Sequence, residues 1–147
     1  MKRLMKTLVM LTLMASLPAS AQQAQKFGDY TVHYSAMNTS LLTPEIAKAY
    51  GIRRSDSRGM VNISVLKGDT EEAATAVKAM VTATGRNLTG QTRTLDMREI
   101  DDGDGAVYYI GELSVRNMET FDFTVEVTPN GNKKPHIVKF RQQFYTE

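Results

Sequence analysis

Tyr50, Arg53, Arg54 and Arg58 stand within one short segment, with Ser55 between them. A guanidinium presents paired donors to carboxylates and phosphates, and a nearby aromatic ring stacks on a ligand or on the guanidinium itself, so the segment is a candidate anion site. The competing reading is a solvated loop whose arginines pair with neighbours such as Asp56, and surface charge of that kind usually holds no ligand. A second candidate is the run Asp101-Asp102-Gly103-Asp104-Gly105. Hard cations take several carboxylate and carbonyl oxygens, which makes Asp101, Asp102 and Asp104 candidate metal ligands. Ile100 stands where an EF-hand needs its first ligand, and Asp-Gly is itself a hairpin signal, so a plain turn competes with the cation site. His33 and His136 are the only histidines, and no ligand spacing connects them to each other or to Asp29 and Glu147.

Other chemistry is excluded or unsupported. The chain has no Cys, which removes cysteine nucleophiles, thiolate metal sites and disulfides. No Gly-x-Ser-x-Gly elbow occurs, so a Ser-His-Asp hydrolase has no positive support. No catalytic residue and no cofactor is assigned on these grounds. Asn38-Thr39-Ser40, Asn62-Ile63-Ser64 and Asn87-Leu88-Thr89 match the glycosylation triplet. They read as structural, with Asn87 and Gly90 as turn residues. Tyr108 and Tyr145 are expected to point outward, where exposed aromatics can contribute to a binding patch.

The elements that must position these groups are mostly strands. Tyr30, Val32, Tyr34 and Ala36 alternate with polar residues, as do Val61, Ile63 and Val65, and both runs predict half-buried strands. The cleanest alternation is Phe121, Phe123, Val125 and Val127 against Asp122, Thr124, Glu126 and Thr128. Pro129-Asn130-Gly131-Asn132 then predicts a turn into a strand with Val138, Phe140 and Phe144 on one face. Upstream, the Asp101–Gly105 run separates a strand around 93–100 from one around 106–116, and the two hairpins together predict a meander.

One helix is expected, with Thr43 as N-cap, Pro44 at the first helical position, an apolar stripe of Ile46, Ala47 and Tyr50, and Gly51 as the stop. Between Glu71 and Thr84 the apolar residues satisfy both helical and strand spacing; the Val and Thr content favours strand from about Ala76.

The N-terminus has a different character. Lys2, Arg3 and Lys6 precede an apolar run from Thr7 to Leu17, then Pro18 and Ala19-Ser20-Ala21. That order predicts a cleavable signal peptide over residues 1–21, with Ala19 and Ala21 in the peptidase pockets and Gln22 the first mature residue. The apolar run is short of the roughly 20 residues that a membrane-spanning helix needs, so no span is expected in the mature chain. Cleavage removes three basic and no acidic side chains, taking the formal charge from +2 to −1. A near-neutral mature protein gives no support to a nucleic-acid partner or an anionic membrane. Residues 22–26 are polar and unpatterned and are expected to be a flexible lead.

The 147 residues, 41% hydrophobic and 23% charged, fit a single folded domain over 27–147 after the leader. About seven short strands with frequent turns predict a mainly β, antiparallel immunoglobulin-like β-sandwich with one short helix.

Read in order, Tyr50-Gly51-Ile52-Arg53-Arg54-Ser55, Gly59-Met60-Val61-Asn62-Ile63-Ser64-Val65, Asn87-Leu88-Thr89-Gly90-Gln91, Tyr108-Tyr109-Ile110 and Phe140-Arg141-Gln142-Gln143-Phe144-Tyr145 resemble a family of small bacterial exported proteins, domain of unknown function 4426. The likeness runs from about Phe27 to Tyr145. It implies a bacterial, periplasmic protein, and it transfers no activity and no site residue. The expectation is therefore a periplasmic, non-enzymatic binding or accessory module, its partner a periplasmic protein or a small anionic ligand. The alternative is a small hydrolase-like or metal-dependent enzyme with an Arg-lined anion site, which requires the Arg53–Arg54 and Asp101–Asp104 segments to share a cleft.

Overall fold

Alternating runs become strands where one face can be buried, and this chain does so repeatedly. The computed structural model describes residues 23–147. In chain order these form β1 (Gln23–Phe27), β2 (Tyr30–Asn38), a 3-10 turn over Thr39–Leu41, α1 (Pro44–Tyr50), β3 (Arg58–Lys67), β4 (Thr75–Ala76), β5 (Ala79–Asn87), β6 (Thr92–Leu95), β7 (Arg98–Asp101), β8 (Val107–Ser114), β9 (Glu119–Pro129) and β10 (His136–Phe144). The leader expected over 1–21, with Ala19, Ala21 and Gln22 at its cleavage point, lies outside the described residues.

The strands make two antiparallel sheets. The larger runs β1-β2-β3-β8-β7, with β4 also paired to β3, and the smaller runs β10-β9-β5-β6. Their inner faces meet as a sandwich, mainly β as expected. Val32, Val61, Ile63 and Val65 of the larger sheet and Phe121, Phe123, Val125, Val127, Val138 and Phe144 of the smaller are at most 1% exposed. Each such side chain contributes about 1.5–3 kcal/mol on burial. The Phe123 ring stacks on Phe140 at 5.1 Å and meets Phe144 edge-on at 6.3 Å, geometries favoured by the aromatic quadrupole. Glycine makes room for them: a Cβ at Gly59 would lie 2.7 Å from Phe144, and one at Gly85 2.8 Å from Phe123.

The helix forms where its signals lie. The Thr43 hydroxyl accepts the Ile46 N–H at 3.3 Å, Pro44 opens the first turn, and Gly51 closes the helix at φ 66°, a left-handed conformation suited to glycine. Ala47 is buried, and Ile52, Met60 and Ile110 form a second small apolar cluster. Met60 and Ile110 belong to the outer face of the larger sheet, so α1 and the chain after it cover part of that face. Among the described residues no helix is long and apolar enough to cross a membrane.

Three expectations need correction. Residues 23–26 of the lead expected over 22–26 are not loose: with Phe27 they pair with β2 from Gln23↔Tyr34 to Phe27↔Tyr30, because the open β2 edge supplies hydrogen bonds that local pattern does not announce. The stretch around 93–100 is two strands rather than one, for β6 belongs to the smaller sheet and β7 to the larger. With β1 and the two-residue β4, this raises the count from seven to ten. The two hairpins do not form a meander, since β8 and β9 lie in different sheets. The undecided Glu71–Thr84 segment resolves in favour of strand, with β5 starting at Ala79.

Candidate functional site

Midway along β2 and β3 the outward-facing Ser35, Asn62 and Ser64 are short and neutral. Ser35 pairs across from Asn62, and His33 from Ser64. Along its other edge β3 changes partner: β8 accompanies it from Arg58 to Ile63, and β4 takes over at Leu66 and Lys67. The Val77 N–H donates to the Val65 carbonyl at 2.9 Å and holds the newcomer in place. A hollow of about 350 Å³ opens over this change, lined by His33, Ser35, Asn62, Ser64 and Tyr108 among others. An adjoining hollow of about 420 Å³, lined by Lys26, Thr31, Thr70 and Glu71, shares His33 and Leu66 with it. The two make one groove across the part of the sheet that α1 leaves open. Such volumes fall in the range of small-ligand sites.

The groove is nearly uncharged. The first hollow has no Asp, Glu, Lys or Arg in its lining, and the second has one of each sign. Asn62 Oδ1 is buried without a hydrogen-bond partner among the described residues, an uncommon state for a polar atom and one that calls for a donor. Tyr108 is half-buried, its ring 6.3 Å from that of Tyr50. Burial pushes the Tyr50 phenol above the ordinary tyrosine range, with Tyr108 and the carboxylate of Asp102 acting in the same direction.

Tyr50 of the expected anion segment stands beside Tyr108, but none of the segment's arginines lines the groove, and they take different partners. Arg58 Nε pairs with Glu112 at 3.4 Å, and Arg54 Nη2 donates to the Ser40 carbonyl at 3.2 Å. Arg53 is exposed, while its carbonyl accepts the hydroxyl of the fully buried Thr39 at 2.8 Å. The Tyr50 carbonyl accepts from Arg98 at 3.1 Å.

In the aspartate turn, Asp101 accepts the Gly103 N–H at 3.1 Å and Asp102 accepts the Asp104 N–H at 2.9 Å, the local bonds that fold Asx turns. Lys78 Nζ stands 4.0 Å from Asp101. Among the described residues no three His, Asp or Glu side chains come together to hold a metal ion. None of the three hollows described in this chain is lined by Arg53, Arg54, Asp101, Asp102 or Asp104, although Asp102 is near enough to Tyr50 for its charge to act on that phenol. His136 stacks on Phe27 at 4.6 Å, away from His33 on the outer face.

Tyr145 is exposed as expected. The three glycosylation-like asparagines have separate structural settings. Asn38 donates to the carbonyls of Asp56 and Tyr145, Asn87 organises the turn to Gln91, and Asn62 lines the groove. Of the groove residues, the sequence reading singles out Tyr108 as an outward aromatic and His33 as one of two histidines, but Asn62 and Ser64 appear there only in a glycosylation-like triplet and Ser35 only as a polar residue on a strand's solvent face. Their signal, a set of neutral side chains at alternate positions of two strands, acquires meaning only when β2 and β3 are known to pair.

A family model described as a domain of unknown function, DUF4426, matches residues 24–147. Among solved structures, the chain is similar to the crystal structure of a DUF4426 family protein from Pseudomonas aeruginosa PAO1. The two are 31% identical with a TM-score of 0.71, over 84% of this chain and 94% of that one. No curated protein matches the chain. With nearly every described residue inside the family match, the chain belongs to the DUF4426 family.

Proposed function

We propose that the mature domain is a non-enzymatic binding or accessory module of the periplasm, and that the groove over β2, β3 and β8 is its recognition surface. The observation that carries this reading is Asn62 Oδ1, a buried acceptor without a partner in the lining of a ligand-sized hollow. The polar side-chain groups that meet there, beside the aliphatic Leu66, Ala76, Ala106 and Val107, are hydroxyls, an amide, an imidazole and phenols, which suit recognition by hydrogen bonding. The signal-peptide pattern of residues 1–21 supports export. The proposal keeps the immunoglobulin-like reading of the sandwich, an architecture whose open faces and loops serve recognition. The enzyme alternative draws less support, because Arg54 and Arg58 are already engaged within the domain and the aspartates serve their own turn.

The test is a photo-crosslinking residue placed at Ser35 in the full chain, expressed with its own leader in the bacterium that encodes it. The reading expects the protein in the periplasmic fraction and a discrete adduct from Ser35, with none from Thr82 on the outer face of the smaller sheet. No adduct from Ser35, or equal labelling from both positions, overturns it.

A further inference from the structure

We infer that the groove takes a neutral, hydroxyl-rich ligand of the saccharide class; this rests on the groove being the recognition surface. Charge narrows the choice first. A bound ion must exchange its hydration shell for counter-charges, and the first hollow offers no Asp, Glu, Lys or Arg while Lys26 and Glu71 oppose each other in the second. Hydrogen-bonding capacity narrows it further. The hydroxyls of Ser35, Ser64, Thr31 and Thr70 each donate once and accept twice, whereas Asn62 Oδ1 only accepts. A ligand hydroxyl answers both needs, because it donates to the amide oxygen and accepts from a neighbouring hydroxyl.

Tyr108 supplies the remaining element. Its ring is half-buried with Tyr50 beside it at 6.3 Å, so it borders the polar floor as a positioned apolar surface, against which the C–H face of a sugar ring can rest. The two hollows share His33 and Leu66, which gives the groove length for more than one ring, from Tyr108 at one end to Lys26 and Glu71 at the other. An extended peptide fits less well. Strand addition needs a free backbone edge; the free edge of β1 borders the second hollow but not the first, so a peptide added there leaves Ser35, Asn62, Ser64 and Tyr108 unused.

The test follows amide resonances of the exported, purified protein during titration with cellobiose, maltose and N,N′-diacetylchitobiose, with inorganic phosphate and an uncharged capped tetrapeptide in parallel. At least one disaccharide is expected to move His33, Ser35, Asn62, Ser64 and Tyr108 together, while phosphate and peptide leave them in place. Asn62→Ala should then weaken binding about tenfold at an unchanged thermal midpoint, and Ser35→Arg should block the groove. Silence toward all three disaccharides, or perturbation of the groove by phosphate or peptide instead, overturns the ligand class. If the Ser35 crosslink still forms in that case, the site survives and only its ligand was misassigned; silence in both experiments removes both.

Discussion

The Tyr109 phenol ties the two sheets together at Ala79: its oxygen accepts the Ala79 backbone N–H at 2.8 Å, and its hydroxyl donates to Glu99 Oε1 at 3.0 Å. Tyr109 lies on the inner face of β8 and is 4% exposed. Ala79 is the first residue of β5, in the opposite sheet. One side chain thus sets where the chain enters the smaller sheet after leaving β4, and Lys78 Nζ, 3.8 Å from Glu99, stands beside the same junction.

Tyr109→Phe keeps the ring and removes the acceptor. The Ala79 N–H loses its partner in a part-buried place, while the exposed Glu99 carboxylate turns to water, a loss worth about 1 kcal/mol. The expected result is a lower denaturation midpoint with an unchanged denaturant slope, read by urea unfolding. An unchanged midpoint would show that the bond contributes nothing to the fold.

The same phenol gives stability a defined pH dependence. Burial raises its pKa most; the Ala79 N–H bond pulls it down, and the bond to Glu99 with that carboxylate's charge pushes it up, for a net upward shift. A group whose folded pKa is raised contributes its full stability below the unfolded value, here about 10, and loses it as pH climbs through the folded value. The thermal midpoint should therefore decline on the alkaline side of about pH 10, and less steeply in Tyr109→Phe. Tyr50, also shifted upward, adds to the decline in both proteins. Parallel alkaline profiles for the two would contradict the assignment to Tyr109.

Gly59→Ala forces a Cβ to within 2.7 Å of the Phe144 ring. That ring is 1% exposed and packed edge-on against Phe121 and Phe123, so it has little room to retreat, and overpacking of this kind costs about 1–3 kcal/mol. Phe144→Leu should make the added methyl cheaper, so the double variant is expected to lose less stability than the two single losses combined. Strict additivity in a denaturation cycle would place the strain elsewhere.

Met118 should be replaceable with a gain. Its φ of 64° is the one positive value at a non-glycine residue among the described residues, and its side chain is 62% exposed. The left-handed conformation costs an L-residue roughly 1–2 kcal/mol. Met118→Gly is expected to raise the thermal midpoint by a few degrees, net of glycine's extra unfolded-state entropy, without altering the groove. A lowered midpoint would mean that the Met118 side chain makes a stabilising contact that outweighs the strain.

How much of this was legible in the chain depended on the distance over which each feature is decided. The ends of α1 could be read because capping is local: Thr43, Pro44 and Gly51 act within a turn of one another. The face of β9 was equally plain, because its alternation from Phe121 to Val127 needs no partner to be recognised. β1 was not legible, since Gln23–Phe27 carries no apolar pattern and becomes a strand only through the β2 edge. The split between β6 and β7 was hidden for a related reason: Leu95 and Ile100 are both apolar, and only the packing sends one to the sandwich core and the other to the outer cluster. The arginines drew attention as a cluster in sequence, yet Arg58 reaches Glu112 on β8, more than fifty residues away.

The sequence by itself determined a Cys-free chain whose alternating runs had to form strands, together with the family resemblance that the comparison established. Only the tertiary structure decided where a ligand can sit. The groove exists because β3 exchanges β8 for β4 along one edge while β2 lies along the other, placing His33, Ser35, Asn62, Ser64 and Tyr108 around one hollow. Pairings between distant segments create that arrangement, and a polar residue on a strand carries no local mark of which neighbours the sheet will bring to it.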